Sequence, residues 1–248
     1  MMSRCPAVIA LAVAALPAVG LAQITYSTYE RSYSTNVALG NGVDDFGSAD
    51  SDGSSPFVGT INRGVAEPNG GGAEGTAGQN STTTSISMIG TLSAFGAVRT
   101  GTSFVTGEAQ SQSNFLVLFS LAAPTPVLFT GSGSVGLTGV NPNGEPSDLY
   151  GRARLQLLNA DTMDPVAGFL IFPEAGVDSV NFNGVLPAGN YALSAQAFMF
   201  AFSADLLGPP ARSGSGQTDV NFSLTVVPAP SAMALLGLAG VFAGRRRR

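Results

Sequence analysis

The chain has 248 residues and a formal net charge of −5, and it contains no histidine, lysine or tryptophan. The missing residue types exclude a histidine-dependent catalytic triad, a lysine Schiff base, a phosphate-binding P-loop lysine and the usual zinc and copper ligand sets. Carboxylates, hydroxyl groups and arginine are the groups that remain for chemistry.

The first 22 residues have the pattern of a secretory signal peptide. Arg4 supplies a short positive region, residues 6–19 are apolar, and small residues stand before a cleavage site between Ala22 and Gln23. We predict that the secretion machinery and signal peptidase recognise residues 1–22, and that the mature protein begins at Gln23. Cys5, the only cysteine, is removed when this segment is cleaved, so the mature protein is expected to have no disulfide and no thiolate ligand.

Residues 23–227 form a strongly acidic body. Without Arg4 and the four C-terminal arginines, six arginines stand against sixteen acidic residues, so the net charge of the body is near −10. Because nucleic-acid binding depends on cationic contacts with phosphates, this charge argues against a nucleic-acid partner. The body is long enough for one sizeable hydrophobic core.

Strand patterns dominate this body. Apolar residues recur with a period of two or in short runs, and Gly, Pro and Asn separate them. The predicted strands are 24–34, 81–89, 115–121, 126–130, 134–140, 152–158, 166–172, 177–185, 191–201 and 220–226. The pattern predicts an all-β protein with a β-sandwich and, as a narrower possibility, a jelly roll. Residues 182–198 are expected to form a hairpin through the turn at Leu186-Pro187-Ala188-Gly189.

Residues 40–80 differ from the rest because they are rich in glycine and poor in large apolar residues. We expect an irregular, partly docked segment in which Phe46, Phe57, Val58 and Ile61 reach the core. A disordered linker is the alternative.

Four aspartates in this segment are weak candidates for a calcium site. Asp44, Asp45, Asp50 and Asp52 supply oxygen ligands, which Ca²⁺ prefers. Gly59 stands where an EF-hand would need a bidentate glutamate, so the spacing does not match that motif. A solvated acidic loop explains the same residues, and no cofactor is predicted.

Two further sequence patterns could indicate a catalytic or nucleotide-binding site. Residues 131–136 (GSGSVG) match G-x-G-x-x-G, but no helix follows them, so a glycine-relieved bend is expected instead of a dinucleotide site. Paired carboxylates could serve a glycosidase, yet no spacing selects a pair from Glu108, Glu145, Asp148 and Glu174. We therefore predict a protein that is not an enzyme.

The C-terminal tail, residues 228–248, is an apolar segment between a proline-rich start and a cationic end. Residues 232–243 are apolar, and Arg245, Arg246, Arg247 and Arg248 end the chain. Twelve helical residues span ~18 Å, which is short for the ~30 Å hydrocarbon core of a bilayer. The arginines are expected to stay on the cytoplasmic side, with the body outside the inner membrane. The segment is either a transient anchor that is later cleaved or a permanent one.

This tail resembles the PEP-CTERM sorting signal of bacterial surface proteins, in a VPAPS variant. Pro228, Ala229, Pro230 and Ser231 occupy the motif positions, with alanine in place of the family's central glutamate. The resemblance implies processing near Pro228 by an exosortase-type membrane protease and transfer to a surface anchor. It covers only the tail and implies no biochemical activity.

These patterns together predict an exported, non-catalytic protein of the cell surface or extracellular matrix. Its tail would hold it transiently in the inner membrane, and extracellular polysaccharide is the partner we consider. A carbohydrate- or calcium-binding β-sandwich module at the cell surface is the alternative.

Overall fold

The structure, a computed structural model, describes residues 23–68, 70–99, 106–139, 148–203 and 213–228. The predicted signal peptide (1–22) and the tail beyond Pro228 lie outside the described residues. Within these ranges the chain forms twelve β-strands and no helix, and hence no helix that is long and apolar enough to cross a membrane. The strands are β1 (Ile24–Leu39), β2 (Asp44–Ser51), β3 (Phe57–Ala66), β4 (Gly72–Thr84), β5 (Ser87–Arg99), β6 (Gly107–Leu121), β7 (Thr125–Thr138), β8 (Asp148–Asn159), β9 (Pro165–Ile171), β10 (Gly176–Leu186), β11 (Gly189–Ser203) and β12 (Ser213–Val226).

The strands form two six-stranded antiparallel sheets that face each other as a sandwich. The first sheet has the order β2-β1-β6-β11-β8-β9, and the second has the order β10-β7-β12-β5-β4-β3. Five successive strand pairs in each sheet are antiparallel, which confirms the all-β, two-sheet prediction.

The core lies between the sheets and follows the period-two alternation of the strands. Ala153, Leu155 and Leu157 of β8 are fully buried, whereas the residues that alternate with them along the strand are polar. On the facing surfaces, Phe115 of β6 and Phe222 of β12 pack with their ring centroids 4.7 Å apart. Burial of these aromatic and aliphatic side chains holds the two sheets together.

Residues 40–80 are not irregular, contrary to the prediction, because they form β2, β3 and most of β4. The strand β4 packs closely against the first sheet through small residues, including the fully buried Ala77. A Cβ atom on Gly75 would lie 2.8 Å from the Ser111 hydroxyl oxygen. Glycine here permits close packing of the two sheets, whereas the glycine-rich composition by itself predicts a loop.

The predicted anchors of this segment are only partly correct. Phe46 and Val58 point into solvent, with exposed fractions of 60% and 66%. Phe57 and Ile61 are half-buried, and the Phe57 ring packs 5.3 Å from the Tyr33 ring. In a two-sheet sandwich only one face of each strand packs against the opposite sheet, and Phe46 and Val58 lie on the other face.

The predicted strand 81–89 is interrupted. β4 ends at Thr84 and β5 begins at Ser87, so the two strands form a tight hairpin. The Thr84 hydroxyl oxygen accepts hydrogen bonds from the backbone N–H groups of Ser87 (3.0 Å) and Ile86 (3.4 Å). Such local side-chain bonds stabilise a turn at the expense of a continuous strand.

The predicted hairpin of residues 182–198 is also wrong. β10 pairs with β7 in the second sheet, whereas β11 pairs with β6 and β8 in the first. The connection between them therefore crosses from one sheet to the other. The Tyr191 hydroxyl donates to the Pro187 carbonyl oxygen at 2.9 Å, which fixes this crossing in the manner of a tyrosine corner.

Candidate functional site

The four aspartates considered for calcium do not come together. Asp44, Asp45 and Asp50 are spread along the extended edge strand β2, and Asp52 follows it. Asp45 forms an ion pair with Arg63 of β3 at 3.3 Å. In the described part of the chain, no group of three or more acidic side chains is close enough to hold a metal ion. The structure therefore gives no support to the calcium site.

The motif at residues 131–136 lies inside β7, which runs without a break from Thr125 to Thr138. The predicted bend is absent. A Cβ atom on Gly131 would contact Leu155 and lie 2.8 Å from the Asn221 carbonyl oxygen, so this glycine permits close packing. A pyrophosphate site needs a helix N-terminus, and the middle of a paired strand offers none.

The residues proposed for processing are mostly outside the described ranges. Ala22, Ala229, Pro230, Ser231 and Arg245–Arg248 fall there. Gln23 and Pro228 are the first and last described residues, and both are exposed.

The carboxylates considered for catalysis are not gathered either. Glu108 of β6 and Asp148 of β8 both stand opposite Phe202, but β11 lies between their strands. Glu174 lies between β9 and β10, and Glu145 is outside the described residues. A groove of about 420 Å³ at one end of the second sheet has Glu74 as the only acidic residue among its described lining residues. A shallower groove of about 550 Å³ over β5, β7, β10 and β12 has no titratable lining residue. Neither groove holds the two acids that a glycosidase needs.

A different site appears on the outer surface of the first sheet, where β11 and β8 lie side by side. Residues 197, 199 and 201 of β11 are buried, so Phe198, Phe200 and Phe202 point to the outer surface. Tyr150 of β8 stands opposite Phe200 in the register. Its ring centroid lies 4.9 Å from that of Phe200 and 5.7 Å from that of Phe198, with interplanar angles of 28° and 29°.

Two more rings extend this group. Phe200 and Phe202 have centroids 6.5 Å apart and planes only 12° from parallel. Phe172, just after β9, meets Tyr150 edge-on at 6.1 Å and has an exposed fraction of 47%. The rings of Tyr150, Phe172, Phe198, Phe200 and Phe202 form what we call the aromatic row. It is an apolar platform on the outside of a sheet.

Polar side chains cross the same sheet next to the aromatic row. Arg152 Nη1 lies 3.5 Å from Gln196 Oε1, Gln196 Nε2 donates to Asn114 Oδ1 at 2.9 Å, and Asn114 Nδ2 lies 3.5 Å from Ser32 Oγ. Arg154 Nη2 donates to Ser194 Oγ at 3.0 Å. We call this set the polar row, and it comprises Ser32, Asn114, Arg152, Arg154, Ser194 and Gln196.

The two arginines make the polar row locally cationic in an acidic protein. Burial lowers the pKa of Arg154, and repulsion by Arg152 adds to this effect. Arg152 stacks over Phe172, with Cζ 4.7 Å from the ring centroid, which is a cation–π geometry. Within the described ranges neither arginine has an ion-pair partner. Arg154 Nε is buried without a hydrogen-bond partner there.

Sequence reasoning missed this surface, although the signal is present. The inward alanines and leucine predict the strand 191–201, and Phe198, Phe200 and Phe202 occupy the alternate positions. Three phenylalanines at outward positions of a strand are unusual for a solvated face. Their convergence with Tyr150 depends on the pairing of β11 with β8, which the sequence does not show.

No protein-family model and no curated protein matches the chain. Among solved structures, the chain is similar to one titled "Structure of infectious bursal disease virus Gx strain". The two are 11% identical, with a TM-score of 0.18, and the match covers 85% of this chain and 68% of the viral chain. A likeness this weak carries no argument about function.

Proposed function

We propose that the chain is an exported, non-catalytic cell-surface protein whose sandwich binds an extracellular polysaccharide through the aromatic and polar rows. The single observation that carries the binding role is the aromatic row beside the hydrogen-bonding polar row on one sheet. The export role is supported by two terminal sequence patterns, the signal-peptide pattern at 1–22 and the PEP-CTERM-like pattern at 228–248. Processing of the tail by an exosortase-type protease is part of the proposal.

The chemistry of the two rows fits a sugar polymer. A pyranose ring has an apolar C–H face and a rim of hydroxyl groups. The stacked rings of Tyr150 and Phe200 belong to an apolar surface that suits the C–H face, while Gln196 and Asn114 offer amide donors and acceptors for the hydroxyls. An open sheet surface, unlike a closed pocket, accommodates a long chain that extends beyond the site on both sides.

The charge of the site favours an acidic polysaccharide. Arg152 and Arg154 lie side by side without a carboxylate partner among the described residues. A guanidinium group binds a carboxylate with two parallel hydrogen bonds, which are stronger than bonds to neutral groups. A sugar carboxylate would supply the missing counter-charge.

The jelly roll, as a subclass of the β-sandwich, remains a prediction. The twelve described strands exceed the eight strands of a simple jelly roll.

Titration calorimetry with alginate, an acidic polymer, and with dextran, a neutral one, tests the proposal. We expect alginate to bind, and Phe200→Ala to weaken binding by at least about tenfold because the central ring of the aromatic row is lost. Arg152→Gln is expected to weaken alginate binding and to reduce its dependence on salt. The matched control is Phe95→Ala, because Phe95 is a half-buried phenylalanine on the outer face of the other sheet.

Two results would contradict the binding role. One is the absence of heat with both polymers at millimolar sugar concentration. The other is an equal loss of affinity in Phe200→Ala and Phe95→Ala, which would indicate a general loss of folding and not a site.

A further inference from the structure

The strand β10 lies at the edge of the second sheet and is paired on one side only. It forms a regular, eleven-residue ladder with β7, from Gly176 opposite Val135 to Leu186 opposite Thr125. In the described part of the chain no strand pairs with its other side. A strand in this position presents a row of backbone donors and acceptors to solvent.

The usual protections of a sheet edge are largely missing from β10. Charged residues, proline, bulges and short length normally prevent edge-to-edge pairing. β10 has one charged residue, Asp178, and its register with β7 shows no bulge. Val177 and Val185, near its two ends, have exposed fractions of 81% and 58%.

The edge strands β2 and β9 are better protected, and the fourth edge strand, β3, is tied to β2 through Arg63, which donates to the Phe46 carbonyl oxygen at 3.1 Å. On one side, β2 carries Asp44, Asp45 and Asp50, and the neighbouring β3 carries Arg63, which pairs with Asp45. On the other side, β9 has only seven residues and Gly168 with a φ of 152°. β10 is therefore the long edge strand that is most open to pairing.

Its sequence is self-complementary about Asn181. If a second β10 pairs antiparallel with Asn181 opposite Asn181, Val177 lies opposite the partner's Val185 and Ser179 lies opposite the partner's Asn183. The side chains at odd positions of β10 point outward. In this register, a valine of one copy lies opposite a valine of the other at both ends of the strand pair. Asp178 lies opposite the partner's Gly184, so no like charges face each other.

We propose that β10 is a self-association surface, on which a second copy of this chain pairs antiparallel about Asn181. The second sheets of the two copies then join into one continuous twelve-stranded sheet. A two-fold interface of this kind uses the same surface on both partners and closes on itself, so it produces a dimer. The carboxylate of Asp178, which accepts the Ser179 N–H at 2.7 Å, turns away from that amide when the partner strand arrives.

Substitution of Val177 and Val185 by charged residues tests both the pairing of the two β10 strands and its register. We expect sedimentation velocity to show a dimer of the exported protein, and Val177→Lys combined with Val185→Lys to shift it to monomer by opposing like charges. Val177→Lys combined with Val185→Glu is expected to restore the dimer, because each lysine then faces a glutamate of the partner. Val58→Lys, on the exposed face of edge strand β3, is the control and is expected to leave the dimer unchanged.

Three outcomes would overturn the proposal. The first is a wild-type protein that remains monomeric at high micromolar concentration. The second is a double-lysine variant that still forms the dimer. The third is a lysine–glutamate variant that stays monomeric while its circular dichroism and thermal unfolding match those of the wild type. None of these results bears on polysaccharide binding, which uses the other sheet.

Discussion

Gly131 and Gly136 belong to the same motif, but the structure gives them different surroundings. A Cβ atom on Gly131 would contact the Leu155 side chain and lie 2.8 Å from the Asn221 carbonyl oxygen. The nearest atom to a Cβ on Gly136 would be the Gln217 carbonyl oxygen, at 3.9 Å. The first glycine therefore serves sheet packing, and the second has room for a side chain.

We expect Gly131→Ala to lower the free energy of unfolding by about 1–3 kcal/mol, because backbone and core atoms have to shift. Gly136→Ala is expected to change it by less than about 0.5 kcal/mol. Urea denaturation of both variants measures the difference. Equal effects of the two substitutions would contradict the packing role of Gly131.

Asp219 is a half-buried carboxylate on β12 that accepts a hydrogen bond from Gln217 Nε2 at 2.8 Å. Burial raises its pKa above the ordinary value of 3.8, and the bond from Gln217 opposes this only in part. The folded protein therefore binds more protons at this site than the unfolded chain, and the contribution of Asp219 to stability falls as the pH rises through the raised pKa.

Asp219→Asn should consequently stabilise the fold at pH 7 and have little effect at pH 3, where the carboxyl group is protonated in both states. The asparagine side chain keeps an oxygen acceptor for Gln217. Thermal unfolding of the variant and the wild type at the two pH values measures the effect. A variant that is less stable at pH 7, or equally shifted at both pH values, would disprove this explanation.

At the scale of the element, the crossing from β10 to β11 decides the topology. Leu186 at the end of β10 and Tyr191 near the start of β11 are both buried, with exposed fractions of 1% and 3%. Gly189 between them has a φ of 155°, a region that favours glycine. Because both ends are anchored in the core, the short connection directs the two strands into different sheets.

Tyr191→Phe removes the hydrogen bond to the Pro187 carbonyl oxygen but keeps the buried ring. We expect a loss of about 1 kcal/mol in the free energy of unfolding, the usual contribution of one such bond. Chemical denaturation provides the measurement. Tyr29→Phe is the control, since Tyr29 is a half-buried tyrosine of the first sheet, and its loss is expected to stay below about 0.5 kcal/mol. A smaller loss for Tyr191→Phe than for Tyr29→Phe would contradict the role of the corner.

On the scale of the whole molecule, residues 22–227 form one compact unit. The first strand begins and the last strand ends beside the same turn. The Ile24 N–H donates to the Ser85 carbonyl oxygen and the Val226 N–H donates to the Ile86 carbonyl oxygen, both at 2.8 Å. Neither Gln23 nor Pro228 is buried. Cleavage at both proposed sites would therefore leave the strands of the sandwich intact.

If the proposed export and sorting take place, the exported form begins at Gln23 and lacks Arg245–Arg248. Intact-mass spectrometry of each cell fraction measures both ends. Replacement of the four arginines by alanine is expected to reduce the processed surface form, because the cationic end would no longer hold the tail on the cytoplasmic side. An inner-membrane species that retains Arg248 at steady state would contradict processing.

The sequence by itself determined the all-β class and much of the core, because alternation with a period of two is a local property that survives in a single strand. Leu155 and Leu157 could be assigned to the interior on that basis. It did not reveal β2 to β4, since glycine and small residues that allow close sheet packing have the same composition as a loop.

Only the tertiary structure decided which strands pair. That choice separates β10 from β11, leaves one edge of β10 open and brings Phe200 next to Tyr150. The physical reason is that strand pairing depends on contacts between residues far apart in the chain, whereas a turn motif or an alternating run records only its own neighbourhood. The candidate site therefore emerged from the register of two strands and not from any motif.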